Sequence, residues 1–567
     1  MPDRLQRRVG LIVLLLGACA LGLAVRLFFV QVVHGAEYVE KGRALRFQEV
    51  ELSPAPRGEI LDRNGLLLAG NEERYVILAS PLHIEDVDEV ARQVAPILHL
   101  SPTALAAYLR SGEEGKALAT DATPEQAKAV EALGFEGISP RLWWARTYPQ
   151  RDLTAVVIGF ATRSGQGYYG LEGFYDDVLR PVNAVWRGEL DGRTGQPLPL
   201  EERGTNLPAP GERLELTLDV GMQAVVVEEL ARGMQEFGAE KGIAIVMDPR
   251  TGAILAMADL PSYDPHRYQE VLGDEQRLVN DAISLPYEPG SVFKCVTVAA
   301  ALDSGTVLPG TTYWDSGSIE CGGVVVYNWD RRAYGQQDIA GILIRSLNVG
   351  ATWLTCRQMG ADVFYRYVRA FGFGRPTGVD LEGEIGGEVH FPTDLDWHDA
   401  YLATNGFGQG IGVTPLQMVS AVAAIANEGR LMRPYLVARR VRPDGTVLER
   451  GPAERGRPIS PSTARILTDM LVRVVEEGVP LAQVPGYRVA GKTGTAQIPV
   501  PGGYSDETIA SFVGFGPVPD PRLVILVRLD RPTVSPWGSQ TASVVFSRMA
   551  ARLFPMVGVA PEGMGTE

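Results

Sequence analysis

Two short motifs far apart in the chain carry residue types that are suited to acyl transfer through a serine. In EPGSVFK, Ser291 and Lys294 are three residues apart, so both lie on one side of the first turn of a predicted helix. A neighbouring lysine can take the serine proton when burial or another cation keeps its amine neutral. The helix N terminus also presents backbone N–H groups to a developing oxyanion. Alone, this pair is weak support, because most such pairs are a helix cap and a surface lysine.

The second motif, in GYRVAGKTGTA (486–496), has two incompatible interpretations. Its first eight residues fit the phosphate-binding loop G-x-x-x-x-G-K-[ST], whereas Lys492-Thr493-Gly494-Thr495 fits a motif of penicillin-interacting serine enzymes. A phosphate-binding loop needs a helix directly after its lysine. The prolines and glycines of TGTAQIPVPGGY argue against such a helix. We therefore predict an extended strand in which something approaches Gly494 closely, and a nucleotide hydrolase is the least favoured function.

A third motif, Ser346-Leu347-Asn348 in IRSLNVGA, lies between the other two. The order and spacing of the three are jointly specific, and at this point the chain resembles the penicillin-binding protein transpeptidases. Further phrases strengthen the resemblance and extend it to the non-catalytic module of class B enzymes, so that it covers nearly the whole chain. These phrases are GFGQGIGVTPLQMVSAVAAIANEG (406–429), SFVGFGP (511–517), RGEILDRNG (57–65) and GLEGFYDDVL (170–179).

The resemblance implies a role for each residue of the first and third motifs. Ser291 would be the acylated nucleophile and Lys294 its general base. Ser346 would relay a proton toward the departing amine, while Asn348 would hold Lys294 and the substrate backbone. The implied reaction is attack on a D-Ala-D-Ala amide, release of D-Ala and transfer of the acyl group to a neighbouring stem-peptide amine.

The same resemblance assigns the second motif to substrate binding and electrostatics. Lys492 would keep Lys294 deprotonated through its positive potential. Thr493 and Thr495 would bind the terminal carboxylate of the substrate, and the backbone N–H groups of Ser291 and Thr495 would form the oxyanion hole. The strand would pair with the extended stem peptide, with Gly494 as an unobstructed contact point.

Composition excludes several other classes of function. The chain has 567 residues, which suggests about two to four domains, and 53 basic against 68 acidic residues give a net charge of −15. Nucleic acid is not an expected partner, because no basic run follows the first eight residues. Six scattered histidines and four cysteines without a CxxC motif predict no metal site, and the resemblance implies no cofactor.

The N-terminal sequence predicts a membrane anchor. Basic residues in 1–8 precede an apolar run, 9–33, whose one charge is Arg26. This run is long enough to cross a bilayer of about 30 Å as a tilted helix. The basic side faces the cytoplasm, which places one span in the cytoplasmic (inner) membrane and the bulk of the chain outside the cell interior.

Two alternatives involve cleavage of the apolar run. Ala18-Cys19-Ala20 has the small-x-small pattern of a signal-peptide cleavage site, and Leu16-Gly17-Ala18-Cys19 resembles a lipobox. Either cleavage leaves LGLAVRLFFVQVV or a similar apolar stretch at the new N terminus. An uncleaved anchor explains the whole run and is therefore favoured.

Residues 34–210 are predicted to form an elongated α+β non-catalytic module, a pedestal of dimerisation type. The segment 57–69 has a strand pattern around the hairpin turn Asn64-Gly65, and 86–98 and 123–134 have the pattern of capped amphipathic helices. No convergent polar cluster occurs in this region. It is thus a scaffold or an interaction module rather than a chemical site.

A linker at 205–212 precedes the predicted transpeptidase domain, 211–557, which is followed by a flexible tail, 558–567. The domain opens with a strand and a helix, and continues with a hairpin around the turn at Asp248. A mainly helical middle follows, and a second hairpin then joins the 510–518 and 524–530 regions. Terminal strands that close one sheet over a helical insertion indicate an α/β serine-enzyme plan. The resemblance implies the penicillin-binding serine-transpeptidase fold, with an antiparallel sheet and a helical subdomain.

The three cysteines of this domain are expected to occupy different environments. Cys295 adjoins Lys294, so its side chain is expected to leave the site and pack in the core. Cys321 and Cys356 lie outside the cytoplasm in the predicted topology, where disulfides form, but the sequence does not show that they are close in space.

The resemblance as a whole predicts a class B peptidoglycan D,D-transpeptidase that binds stem peptides and β-lactams and works with a RodA-type glycan polymerase. Ser346-Leu347-Asn348 is closer to division-type synthases than to elongation-type ones. A membrane-anchored β-lactamase is an alternative, although it needs a base for fast deacylation and has no use for the long module. A β-lactam sensor is another, although only eight residues precede the anchor to signal in the cytoplasm.

Overall fold

The structure is a computed structural model that describes residues 2–111, 115–182, 184–189, 208–500 and 502–562. Two compact units divide the chain, and each is assembled from three separate stretches. The smaller unit contains Met1–Pro56, Glu73–Trp144 and Pro181–Pro210, and the larger contains Arg57–Glu72, Ala145–Arg180 and Gly211–Glu567. Residues of the predicted module 34–210 therefore occur in both units, and its boundaries stay a prediction.

The α-helices are numbered in chain order. They are α1 (Pro2–Phe28), α2 (Gly35–Arg46), α3 (Val87–Ile97), α4 (Pro102–Arg110), α5 (Pro124–Glu131), α6 (Ala155–Ile158), α7 (Gly170–Phe174), α8 (Asp176–Leu179), α9 (Val220–Phe237), α10 (Glu275–Leu278), α11 (Asp281–Ser284), α12 (Lys294–Asp303), α13 (Ile339–Ile344), α14 (Asn348–Trp353), α15 (Gly360–Ala370), α16 (Asp399–Asn405), α17 (Pro415–Ala426), α18 (Pro461–Arg473) and α19 (Ala542–Met556).

The β-strands are numbered in the same way. They are β1 (Phe47–Ser53), β2 (Ile60–Leu61), β3 (Leu67–Ala79), β4 (Lys116–Ala122), β5 (Ile138–Thr147), β6 (Phe160–Ala161), β7 (Gly167–Tyr168), β8 (Ala184–Glu189), β9 (Arg213–Leu216), β10 (Lys241–Met247), β11 (Ile254–Leu260), β12 (Thr312–Asp315), β13 (Ser318–Cys321), β14 (Val324–Tyr327), β15 (Gly335–Asp338), β16 (Leu431–Met432), β17 (Val437–Val441), β18 (Val447–Glu449), β19 (Glu454–Gly456), β20 (Ala490–Val500), β21 (Gly503–Gly516) and β22 (Leu523–Asp530).

The smaller unit begins with the apolar helix. Helix α1 continues as a π-helical stretch, Phe29–Val33, and the segment Arg8–Val33 has 26 residues with a mean hydropathy of 2.5. None of its most apolar window is buried within the protein. By length and composition this segment is able to span a membrane, in agreement with the run predicted at 9–33.

The remainder of the smaller unit packs helices on strands. The second half of β3 pairs with β4, and α3, α4 and α5 bury an apolar face with Ile77 and Val94 at its centre. Asp86 caps α3, and Thr123 forms a capping box with Gln126 at the start of α5. Both helices predicted from the sequence, at 86–98 and 123–134, are confirmed.

The larger unit is built around a five-stranded antiparallel sheet with the strand order β11-β10-β22-β21-β20. Both predicted hairpins are present, and β20 lies at one edge. Strand β10 is buried along most of its length, so both faces of the sheet are covered. Helices α9 and α19 pack against each other and on the sheet, and α17 packs on it from the helical subdomain.

The helical subdomain lies between β11 and β20 in the sequence. Helix α12 runs through it, and its residues 294–301 are all buried. Three small strand pairs, β12 with β15, β13 with β14 and β16 with β19, interrupt the region that was predicted to be mainly helical. The α/β transpeptidase fold, with an antiparallel sheet and a helical subdomain, is confirmed.

Two early segments of the chain complete the larger unit. Strand β2 pairs in parallel with β9 and antiparallel with β3, across the predicted turn at Asn64-Gly65. Arg57 donates to Glu172 at 2.6 Å and to Asp176 at 2.8 Å, and all three side chains are nearly inaccessible to solvent. The phrases RGEILDRNG and GLEGFYDDVL thus form one buried ion cluster. The expectation that no polar side chains converge within 34–210 is therefore wrong, because charge pairing brings together residues that are more than 100 positions apart.

Candidate active site

Ser291 lies in a tight turn that packs directly against the edge strand. Gly290–Phe293 form one turn of 3-10 helix, and the α-helix proper begins at Lys294, three residues later than the sequence predicts. Gly290 has φ +54°, and a Cβ at this position would lie 2.9 Å from the carbonyl oxygen of Thr495. The turn therefore requires glycine, and it holds the partly exposed Ser291 beside β20.

Lys294 is fully buried and has a complete set of partners at the site. Its Nζ donates to Asn348 Oδ1 at 2.8 Å and to the Ser346 carbonyl oxygen at 2.7 Å, and it lies 3.0 Å from Ser291 Oγ, whose hydroxyl proton it can accept when neutral. Burial, and then the positive charge of Lys492, lower the pKa of Lys294 well below its ordinary value. A neutral amine in hydrogen-bond contact with a serine hydroxyl is the arrangement that general-base catalysis needs.

Ser346 bridges the two lysines. It lies between α13 and α14 with φ +58°, in the left-handed region that serine rarely adopts. Its Oγ is 3.3 Å from the Nζ of Lys294 and 3.1 Å from the Nζ of Lys492. The strained backbone turns one residue so that both its carbonyl oxygen and its hydroxyl face the site.

Lys492 lies within β20, not in a loop ahead of a helix, so the phosphate-loop interpretation is wrong. Its buried Nζ also lies 3.2 Å from both oxygens of Thr493, and burial lowers its pKa to about 8. The nearby Cys295 thiol packs in the core as predicted, and burial raises its pKa to about 12, so the thiol is neutral. Among the residues that the structure describes, no carboxylate is hydrogen-bonded to either amine, so the site combines two buried amines without a paired anion.

The rest of the second motif faces both the cleft and the turn. Thr493 and Thr495 are half-buried, and the Thr495 hydroxyl accepts a hydrogen bond of 3.1 Å from the Gly538 backbone. A Cβ on Gly494 would lie 2.7 Å from the Pro289 carbonyl oxygen. The close approach predicted at Gly494 is present, and the group that approaches is the nucleophile turn.

Several contacts at the site have no signal in the sequence, because they use backbone groups. The carbonyl oxygen of Tyr327 accepts from Asn348 Nδ2 at 3.1 Å, and the carbonyl oxygen of Ser346 accepts from Lys294. Glu288 accepts from the Gly410 backbone at 2.9 Å and from the Tyr504 hydroxyl at 3.0 Å. Glu288 directly precedes the nucleophile turn in EPGS, and this position in the sequence is a signal by which it could have been identified.

Cys321 and Cys356, whose pairing the sequence left open, form a disulfide. Cys321 ends β13, which pairs with β14, and β14 ends at Tyr327. Cys356 follows α14, which begins at Asn348. The disulfide thus joins the two segments whose hydrogen bond orients Asn348.

Comparison with known families agrees with this geometry. Residues 242–551 match the family model described as the penicillin binding protein transpeptidase domain. The chain belongs to this family. Residues 52–216 match the penicillin-binding protein dimerisation domain, and a dimerisation domain ahead of the transpeptidase domain makes this a class B penicillin-binding protein.

Relatives of this penicillin-binding protein match over nearly the whole chain. Stage V sporulation protein D of Bacillus subtilis is 34% identical, over 98% of this chain and 86% of its own length. The probable peptidoglycan D,D-transpeptidase PbpC of Pseudomonas aeruginosa is 31% identical, over 99% of this chain and 97% of its own.

Solved structures give the same result for the penicillin-binding protein fold. Penicillin-binding protein 3 of Mycobacterium tuberculosis, complexed with aztreonam, is 30% identical with a TM-score of 0.70, covering 90% of this chain and 98% of its own. Penicillin-binding protein 2X of Streptococcus thermophilus is 25% identical with a TM-score of 0.78, covering 90% and 81%.

Proposed function

We propose that this penicillin-binding protein is a peptidoglycan D,D-transpeptidase that cross-links stem peptides through an acyl-enzyme at Ser291. The observation that carries the proposal is the 3.0 Å hydrogen bond between Ser291 Oγ and the buried amine of Lys294, whose pKa is lowered. The names of the relatives support the same reaction, since several are peptidoglycan D,D-transpeptidases.

In the acylation step, Ser291 Oγ attacks the carbonyl carbon of the D-Ala-D-Ala amide and its proton passes to Lys294 Nζ. The backbone N–H groups of Ser291 and Thr495 stabilise the oxyanion. Ser346, 3.3 Å from Lys294 Nζ, relays a proton to the departing nitrogen, and the C–N bond breaks to release D-alanine. Asn348 fixes Lys294 by accepting a hydrogen bond through its Oδ1, and its Nδ2 donates to the Tyr327 carbonyl oxygen.

Substrate binding falls to β20. This strand lies at the sheet edge, so an extended stem peptide can pair with it and continue the sheet. The hydroxyls of Thr493 and Thr495, with the positive end of Lys492 behind them, bind the terminal carboxylate. Gly494 offers backbone contacts only.

In the transfer step, a stem-peptide amine attacks the acyl carbon, the bond from Ser291 Oγ to that carbon breaks, and the amine proton returns to Oγ through Lys294. Among the described residues, no carboxylate is hydrogen-bonded to Ser291 Oγ. The names of the relatives, several of which are peptidoglycan D,D-transpeptidases, favour transfer to an amine over the hydrolysis that a β-lactamase performs.

Mass spectrometry of the full-length protein treated with labelled penicillin tests the assignment. We expect one adduct on the peptide containing Ser291, which Ser291→Ala abolishes. Lys294→Ala should slow labelling by about 10²–10⁴-fold, the usual loss for a general base. An unmodified Ser291 peptide together with measurable nucleotide binding would contradict the proposal.

We further propose that the enzyme is division-type and anchored in the cytoplasmic membrane by a retained helix at 9–33, with 1–8 inside. Ser346-Leu347-Asn348 supports the division assignment, as do relatives such as the D,D-transpeptidase FtsI homolog of Mesostigma viride, 28% identical.

We propose residues 34–210 as the interaction module, 211–557 as the transpeptidase domain and 558–567 as a tail, with a RodA-type polymerase as partner. Imaging of a tagged copy distinguishes septal from lateral placement, and mature N-terminal sequencing at Cys19 or Leu21 would exclude a retained anchor.

A further inference from the structure

A loop that is hydrogen-bonded to the Ser346 motif carries exposed basic side chains that the proposed mechanism does not use. The rim loop, residues 327–334, follows β14 and precedes the Ser346 motif in the sequence. It contains Arg331, and Arg345 lies directly before Ser346. Both arginines are exposed, and neither has a carboxylate partner within the described part of the chain. In a chain of net charge −15, these two arginines, one directly before Ser346 and one on the loop attached to that motif, call for an explanation.

The rim loop is fixed to the catalytic wall on both sides of Ser346. Asn328 Oδ1 accepts from the Val349 backbone at 3.2 Å, and the Tyr327 carbonyl oxygen accepts from Asn348. Trp329 Nε1 donates to the carbonyl oxygen of Arg345 at 3.3 Å. These contacts set the position of the loop relative to the serine motif.

Aromatic rings hold the two guanidinium groups. The Arg331 guanidinium lies 5.5 Å from the ring centre of Tyr327, and that of Arg345 lies 5.4 Å from the ring centre of Tyr334. The one acid of the loop, Asp330, already accepts from the Tyr334 hydroxyl at 2.7 Å. The guanidinium groups are therefore oriented by neutral rings, and their N–H donors remain available to an anion from outside.

Carboxylates are the anions that a stem peptide supplies. The terminal carboxylate of the donor is assigned to the opposite wall, at Thr493 and Thr495. The acceptor amine must lose its proton to Lys294, so it enters beside Ser346, next to Arg345. A carboxylate on the same carbon as that amine is then carried toward this wall.

Resting on the proposed function, we propose that Arg331 and Arg345 form a carboxylate subsite for the acyl acceptor. The subsite favours an acceptor amine whose own carbon bears a carboxylate, as in an amino-acid head group. The bonds formed and broken are those of the transfer step: nitrogen bonds to the acyl carbon and Ser291 Oγ leaves. The arginines hold the carboxylate and take no proton.

The test uses full-length protein in detergent, acylated by a thioester analogue of the donor peptide. Release of thiolate reports acylation, and mass spectrometry reports transfer to D-methionine or to D-methioninamide, which lacks the carboxylate. In Arg345→Gln and in Arg331→Gln, we expect the ratio of transfer to D-methionine over transfer to the amide to fall about tenfold, the effect of one charge-assisted hydrogen bond. Comparing each variant with wild type cancels the difference in amine protonation.

Arg332→Gln is the matched control, because Arg332 lies on the same loop but 3.8 Å from Asp330, and its ratio should stay at the wild-type value. Equal losses with both amines, no loss in either variant, or transfer to neither amine by wild type would overturn the subsite. Slower thiolate release in the arginine variants would also overturn it, since the carboxylate bound would then be the donor's. Absence of thiolate release and of penicillin labelling in wild type would instead refute the proposed function.

Discussion

The charge of Lys492 should control the protonation of Lys294, and its size follows from a shared contact. Both Nζ atoms contact Ser346 Oγ, at 3.3 and 3.1 Å, so they lie no more than roughly 6 Å apart. At an effective dielectric constant of about 20, two unit charges at that distance repel by about 3 kcal/mol. This repulsion disfavours the protonated amine, so the charge of Lys492 adds to burial in lowering the pKa of Lys294.

Lys492→Met removes this charge and keeps a side chain of similar length. Acylation requires neutral Lys294, and the variant raises the pKa of that amine. The acidic limb of the acylation rate should therefore move to higher pH, and on that limb the rate should fall about 100-fold, the factor that corresponds to about 3 kcal/mol. The rate should recover as the pH rises, because the base is still present.

The assay is the second-order rate constant for labelled penicillin, measured below the Lys492 pKa of about 8, where the wild-type lysine is charged. Cys295→Ala is the control, because it removes a buried neutral group near Lys492 and should leave the limb in place. A uniform loss of rate without movement of the limb would refute the coupling. Lys492 would then act on the substrate carboxylate alone.

Three further predictions concern stability and packing. Replacing Cys321 and Cys356 by serine opens a loop with a sequence separation of 35 and should lower the free energy of unfolding by about 4 kcal/mol, measured by denaturant titration. Lys294→Met should abolish acylation yet raise the free energy of unfolding by about 1–2 kcal/mol at neutral pH, with the gain shrinking as pH rises toward 10.5. The gain shrinks because the pKa of Lys294 is lower in the folded protein than in the unfolded chain. The wild-type protein therefore becomes more stable as the pH rises, until the unfolded lysine also loses its proton. A melting temperature of the variant below that of wild type at every pH would contradict this prediction. Gly494→Ala should slow penicillin acylation and destabilise the fold, because the new Cβ would clash with the Pro289 carbonyl oxygen. Acylation at the wild-type rate would contradict this, since the nucleophile turn would then have moved without a cost.

The parts of the site that could be predicted from the sequence are those in which a side chain does the chemistry. Ser291, Lys294 and Lys492 are identified by type and spacing, and the hairpins follow from alternation and turn residues. The positive φ of Ser346 was not predictable, because serine has no preference for that conformation. Contacts to the Tyr327 carbonyl oxygen were not predictable either, since every residue carries the same backbone groups.

Long-range assembly was the other limit of prediction. The pairing of Cys321 with Cys356 depends on how β13 and α14 meet, which spacing does not determine. Likewise, the pattern of 57–69 predicts a hairpin but not that β2 pairs with β9, some 150 residues later in the chain. Local patterns specify elements, whereas burial and charge pairing over long distances select their partners.

The interleaving of the two units has a consequence for how the protein is made. During synthesis, β2 and Arg57 leave the ribosome well before β9 and the strands of the five-stranded sheet. The larger unit cannot close until those later segments arrive, so until then β2 has β3 but not β9 as a neighbour. A recombinant fragment that starts at residue 211 meets the same problem permanently, because β9 loses its neighbour β2. Soluble fragments for screening inhibitors should therefore begin before residue 57, after the anchor.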